Sequence, residues 1–318
     1  MKVAVRSTSV AHKRRERSAA PARYDGGVVD HLILLKPRVM SLVVFTGAVG
    51  FALAPPPIDW MKFIAALSAM AAGAGACGAL NMWWDADIDA HMARTAMRPI
   101  PRGVVPPLEA LAIGVLLSVV SVAFLAFEVN WLAALLLALT IAIYVPLYTM
   151  VLKRSTPQNI VIGGAAGALP PLIGWAAAAN SVSAGAVAMF LIIFLWTPPH
   201  FWALALCRSG DYERVGVPMM PNVVGPARTC RQIVAYSLLL VPASLGPLLI
   251  PGVGLVYGAV AVVAGALLLW RAFHLYRLRD GDETARRKAA MGLFGFSILY
   301  LFILFAAMLA EAMLRAFA

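Results

Sequence analysis

Asn81, Asp85 and Asp89 recur at every fourth position directly after an apolar run. On a helix each four-residue step turns by about 400°, so the three side chains share one face within roughly two turns. Two carboxylates and an amide present hard oxygen ligands, which suit Mg²⁺ that is itself shared with a phosphate. Acidic side chains at the end of a membrane helix are costly unless they bind something. The spacing therefore points to diphosphate chemistry at a membrane surface, with Asp85 and Asp89 as the charged ligands. Asp87 falls off that face and reads as an ordinary capping residue.

Other residues fit around this core. Arg94, Arg98 and Arg102 follow at a spacing of four. A guanidinium fork matches phosphate oxygens, but basic residues also gather in cytoplasmic loops with no further role, and both readings fit Arg94 and Arg98. The same pair of readings fits Lys153 and Arg154, which follow a long apolar run and could reach a diphosphate. Asp211, with Glu213 beside it, forms a second acidic cluster in the segment R-S-G-D-Y-E-R; alone it is turn chemistry, and opposite the first cluster it is a second metal site. His200 lies in W-T-P-P-H-F-W. It is either a satisfied core histidine or, with Trp196, Phe201 and Trp202, part of a wall for a flat apolar acceptor, with ligation of a haem iron as possible chemistry.

The elements that must position these residues are membrane helices. In 318 residues, 62% are hydrophobic and 13% charged, with a mean hydropathy of +0.83. That places the chain among polytopic helical membrane proteins. Nine apolar stretches are long enough to cross a hydrocarbon core: 33–54, 61–81, 108–127, 131–151, 158–178, 185–206, 231–250, 253–272 and 291–313. With the amino terminus cytoplasmic, this count puts 24 of the 26 Lys and Arg on the inner side and leaves Lys62 and Arg315 outside. An omitted or added helix would scramble that division. The longest inner segments are then 82–107, 207–230 and 273–290. Pro170-Pro171 and Pro198-Pro199 should break or kink their helices. The Gly- and Ala-dense stretches at 71–79 and 163–168 read as close helix packing.

The net charge of +11 follows from topology and contact with anionic lipid headgroups, and calls for no nucleic acid partner. Cys77, Cys207 and Cys230 lack metal spacing and read as free, packed thiols. Residues 1–28 form a basic tail, rich in Ser and Ala, without the apolar core of a secretory signal; a disordered cytoplasmic tail is expected, followed by one domain over 29–318.

With these residues in place, the chain resembles the intramembrane UbiA-type prenyltransferase superfamily, and in particular its haem-farnesylating branch. The resemblance is carried by K-P-R-V at 36–39, N-M-W-W-D-A-D-I-D at 81–89, the long run from Tyr148 to Trp175, W-T-P-P-H-F-W-A-L-A at 196–205 and D-Y-E-R-V-G-V-P-M-M-P at 211–221. It implies an all-α fold of nine transmembrane helices around a central cavity. It also implies Mg²⁺-dependent transfer of a farnesyl group from farnesyl diphosphate onto the 2-vinyl group of haem B, with haem A synthase as a possible partner for the product. The setting would be a bacterial inner membrane, in preference to a mitochondrial one. By the same resemblance Asn81, Asp85 and Asp89 hold one metal and Asp211 belongs to the second acidic motif. Val215 stands where the superfamily carries a further Asp, which leaves that second site thinner or completed by Glu213 or water. Two other readings stay open: a sister enzyme that prenylates an aromatic quinone precursor, and a transporter or haem-handling membrane protein. Against transport, the carboxylates cluster at cytoplasmic helix ends.

Overall fold

A backbone amide inside a bilayer has no water to pair with, so long apolar segments close their hydrogen bonds within helices. The computed structural model describes residues 24–55 and 57–316 and follows this rule. Its helices are α1 (Val28–Leu34), α2 (Pro37–Ala52), α3 (Trp60–Trp84), α4 (Ala86–Asp89), α5 (Pro107–Glu128), α6 (Trp131–Ser155), α7 (Asn159–Ala179), α8 (Ala184–Arg214), α9 (Met220–Ala243), α10 (Leu255–Arg277) and α11 (Glu283–Ala316). Among the described residues there is no strand. Among the described residues eight helical spans are long and apolar enough to cross a membrane, and a ninth is reached when α1 and α2, bent by 53°, are counted as one broken span. Residues 1–23 of the expected tail lie outside the described residues. From Tyr24 onward the chain is tied down: Tyr24 N donates to Gly103 O at 3.0 Å and Gly26 N to Val104 O at 2.9 Å.

Short outer turns start their helices with side-chain caps. Asp59 accepts from the amides of Met61 and Lys62 at the head of α3, Asn130 from Ala133 at α6, and Ser183 from Ala186 at α8. The inner ends differ from the sequence expectation. α8 continues to Arg214, α9 already begins at Met220 and α11 at Glu283, so most of segments 207–230 and 273–290 is helix rather than loop. Hydropathy marks only the part of a helix that crosses hydrocarbon, whereas these helices project beyond it with polar faces.

The prolines act unequally. Pro170-Pro171 divides α7 into Asn159–Ala168 and Pro170–Ala179, whereas α8 runs through Pro198-Pro199 and turns irregular only at Arg208 (φ −125°, ψ 17°). A third proline has a larger effect. Pro146 has no amide hydrogen to give, and around it α6 widens into π-helical turns from Ile143 to Leu152.

In packing, α2 lies against α3, α7 and α11, and the contact with α11 joins the first span to the last. The α2–α7 contact is made backbone to backbone. A Cβ at Gly50 would stand 2.0 Å from the carbonyl oxygen of Pro171, and one at Gly174 would stand 2.0 Å from that of Gly47. Small residues are what permit this approach. We therefore expect Gly50→Val to lower the melting temperature in detergent, by an overpacking cost of about 1–3 kcal/mol or more. Gly295, in α11, has open space around its missing Cβ. Gly295→Ala should raise stability by about 0.5–1 kcal/mol through helix propensity alone. Equal melting of Gly50→Val and the wild type would contradict the α2–α7 contact.

Candidate active site

A carboxylate withdrawn from water costs several kcal/mol unless charge and hydrogen bonds compensate it. The junction of α3 and α4 withdraws two. Asn81, Asp85 and Asp89 are 5%, 0% and 2% exposed, while the side chain of Asp87 is 62% exposed. The helix is irregular at Asp85 (φ −88°, ψ 5°), yet Asp85 N donates to Asn81 O at 3.0 Å and Asp89 N to Asp85 O at 2.8 Å. The four-residue register thus survives the junction and keeps the three side chains on one buried face.

Compensation comes from three other segments. Lys153 Nζ donates to Asp85 Oδ2 at 2.5 Å, Arg98 Nη1 to Asp89 Oδ2 at 2.5 Å, and Lys36 Nζ to Asn81 Oδ1 at 2.5 Å. Asn81 Nδ2 in turn donates to Asp85 Oδ2 at 2.7 Å and to Thr149 Oγ1 at 3.2 Å. Arg154 forks onto Asp87 at 2.8 and 2.7 Å, donates to the carbonyl of Trp84 at 3.2 Å, and lies 3.7 Å from Asp85 Oδ1. The Arg154 hydrogen bond holds the Asp87 carboxyl below the usual carboxylate range, so this fork is intact at neutral pH and lost only as pH falls through that depressed value. Arg94 is exposed and lies within electrostatic reach of Tyr148.

The widened turns of α6 aim this wall. They place buried Thr149 against Asn81 and end at Lys153 and Arg154. Gly163 of α7 keeps the neighbouring helix flush with Tyr148, where a Cβ would stand 2.3 Å from the ring. Sequence reasoning assigned neither Lys36 nor Thr149 to the site. Pro146, inside an apolar run that ends in Lys-Arg, was the available signal for the second.

The donor set fits a hard cation. Asp85 Oδ1 is buried and accepts no hydrogen bond, beside an amide oxygen and a second carboxylate. Among the described residues no three His, Cys, Asp or Glu side chains assemble into a metal site, so Asn81, Asp85 and Asp89 would hold the ion only with phosphate or water completing its shell.

Asp211 stands apart from this cluster in its contacts. Its carboxylate faces Arg214 at 3.4 Å and Arg208 at 3.9 Å, both on its own helix, which is α8 rather than the turn that S-G-D-Y suggested. With Glu213 it lines a polar cavity of about 770 Å³ between the inner ends of α8 and α11, together with Arg287 and Lys288; Asn81, Asp85 and Asp89 do not line it. His200 is buried deeper in α8. Its ring stacks on Trp196 (4.1 Å) and Phe294 (4.6 Å), and Nδ1 is 2.7 Å from Ser297 Oγ. Trp196 Nε1 donates to the Ser297 carbonyl at 2.7 Å, so both rings are pinned to α11.

This arrangement has relatives. The UbiA prenyltransferase family model matches residues 43–299. A protoheme IX farnesyltransferase of Methylobacterium sp. (strain 4-46) is 57% identical over 93% of this chain and 92% of its own length. One of Parvibaculum lavamentivorans is 56% identical over 97% of this chain and 96% of its own. Among solved structures, a UbiA homolog from Archaeoglobus fulgidus bound to DMAPP and Mg²⁺ superposes with a TM-score of 0.65 at 18% identity, covering 86% of this chain and 99% of that one. A digeranylgeranylglyceryl phosphate synthase superposes with a TM-score of 0.74 at 18% identity, over 89% and 98%.

The pairing of Asp85 with Lys153 makes a stability prediction. Lys153→Met leaves a buried carboxylate less compensated and should cost about 3–5 kcal/mol of unfolding free energy. Adding Asp85→Asn removes the stranded charge and should recover most of that loss. Strictly additive losses in the double variant would show that the two groups do not compensate one another.

Proposed function

Because this chain belongs to the UbiA prenyltransferase family, we infer that it transfers a farnesyl group from farnesyl diphosphate to the 2-vinyl group of haem B, with addition of water, giving haem O on the way to haem A. The observation that carries the donor half is the buried Asp85 oxygen without a hydrogen bond, set among Asn81, Asp89 and three cations. The acceptor half is supported by relatives called protoheme IX farnesyltransferase that match along nearly the whole chain.

An allylic diphosphate ionises when its C–O bond breaks and the electron pair leaves with the diphosphate oxygen, so the protein must receive negative charge there. We assign Arg98, Lys153, Arg154 and Arg94 to its binding. Mg²⁺, when bound by Asn81, Asp85 and Asp89, neutralises further charge on the leaving group. By the same reading Asp211, completed by Glu213 or water, would hold a second metal ion to the same end. The farnesyl cation must meet the vinyl carbon before water does, and the apolar helix interior around Trp196, His200 and Phe294 offers a dry wall of that kind. We assign His200 to the acceptor side, as a ring held rigid by Ser297. Addition to the vinyl carbon leaves a cation next to the porphyrin; water captures it and loses a proton, giving the hydroxyethyl-farnesyl substituent.

Both substrates are amphiphilic, which suits an integral membrane enzyme open to membrane lipid. The reading assigns it to a bacterial inner membrane, with the basic helix ends cytoplasmic and residues 1–28 as a tail to the catalytic domain at 29–318. Haem A synthase is the partner that would take up the product.

Purified protein supplied with farnesyl diphosphate, Mg²⁺ and haem B should yield a porphyrin heavier by one farnesyl group and one hydroxyl by mass spectrometry. 4-Hydroxybenzoate should stay unmodified; prenylation of it in place of haem would overturn the acceptor. Asp85→Asn and Asp89→Asn should lower turnover by orders of magnitude. Asp87→Asn loses an exposed pair of about 0.2–1 kcal/mol and should cost only a few-fold.

A further inference from the structure

Each member of the acidic triad carries a cation of its own: Lys36 on Asn81, Lys153 on Asp85 and Arg98 on Asp89, all at 2.5 Å. Of these Lys36 is the least expected. Asn81 is neutral and gives the ammonium no directly bonded ionic partner, and repulsion from Arg98 and Lys153 is offset only in part by attraction from Asp89 and Asp85. The backbone also concedes something to place it. Lys36 sits in the break between α1 and α2 with left-handed dihedrals (φ 53°, ψ 56°), a conformation that costs a side-chain-bearing residue free energy and persists where the surroundings impose it. Pro37 then starts α2, so the break aims Lys36 at the triad.

The charges at this site are unbalanced. Two carboxylates face three cations, because the Arg154 charge is matched by Asp87. One positive charge is in excess. A divalent cation entering alone would raise that excess to three, whereas the same ion arriving with a trianionic prenyl diphosphate would bring it to zero. The oxygen that Lys36 occupies, Asn81 Oδ1, is also one that the ion would need.

From this juxtaposition we propose that Lys36 is a diphosphate ligand that couples metal binding to diphosphate binding: its ammonium holds Asn81 Oδ1 until metal and diphosphate enter together, and then passes from the amide to a diphosphate oxygen. The inference rests on the prenyl-diphosphate reading above and adds a residue and an order of events to it. The exchange breaks and forms only hydrogen bonds and metal–oxygen contacts. Its thermodynamic content is a coupling between two ligands, reciprocal by necessity.

The test uses the full chain in detergent, with Mn²⁺ as the probe ion and inorganic diphosphate as the probe anion. Free Mn²⁺ is followed by electron paramagnetic resonance with and without diphosphate. In the wild type, diphosphate should tighten Mn²⁺ binding at least about tenfold, the effect of one favourable charge contact at short range. Lys36→Met should bind Mn²⁺ alone about tenfold more tightly than the wild type does, and diphosphate about tenfold more weakly, so that most of the coupling disappears. Lys36→Gln keeps a hydrogen-bond donor for Asn81 without the charge and should behave in the same way, while Lys36→Arg should retain the coupling. If Lys36→Met and Lys36→Gln bind both probes as the wild type does, Lys36 is no ligand. If they lose Mn²⁺ equally with and without diphosphate, Lys36 merely supports Asn81. Either result overturns the proposal and leaves the prenyl-diphosphate reading standing. Absence of diphosphate-dependent Mn²⁺ binding in the wild type would overturn both.

Discussion

Two carboxylates hidden from water at the end of a membrane helix dominate the energetics of this molecule. Neither can be left uncompensated, and no single neighbouring helix supplies all the charge they need. Lys153 and Thr149 come from α6, Arg98 from the segment after α4, and Lys36 from the break before α2. Local irregularities recur around them: π-helical turns in α6, a non-helical Asp85 at the α3–α4 junction, a left-handed Lys36 before α2. The regular parts of the bundle supply rigidity, through contacts as tight as those of Gly50 and Gly174 between α2 and α7. The irregular parts supply aim.

That division also explains which features were legible in the sequence. The period of four in Asn81, Asp85 and Asp89 is a local signal, and the structure keeps all three on one buried face with Asp87 turned outward. The eight spans among the described residues, and the bent α1–α2 pair that makes nine, were equally readable, because burial in hydrocarbon demands long apolar runs. The inner ends of α8, α9 and α11 were not, since helix that projects past the hydrocarbon carries polar residues and looks like loop. Lys36 and Thr149 were missed for a different reason. They reach Asn81 across 45 and 68 positions of chain, and no local pattern encodes such a contact. Of the basic residues for which topology and diphosphate binding were both open readings, Arg98 and Lys153 hold the triad, whereas Arg94 is exposed.

The two halves of the chemistry sit in different physical settings. The donor half is a dense array of charges at the basic ends of the helices, able to accept a departing diphosphate. The side that we assign to the acceptor is aromatic and fixed: Trp196 and His200 both bond to Ser297, and Phe294 closes the stack. We propose that this aromatic side stays dry, which is the condition for carbon–carbon bond formation ahead of hydrolysis. The second acidic motif lies beside a separate polar cavity, with Asp211 held by Arg208 and Arg214.

We propose that the metal and the diphosphate meet at the Asn81–Asp85–Asp89 face. An experimental structure with Mn²⁺ and an uncleavable thiolo analogue of farnesyl diphosphate, with the ion located by its anomalous signal, tests this most directly. The account predicts Mn²⁺ in contact with Asp85 Oδ1, the buried oxygen that accepts no hydrogen bond here, with Lys153 and Arg98 turned toward the diphosphate. Mn²⁺ found only beside Asp211, with Lys153 still on Asp85 and Arg98 still on Asp89, would contradict it.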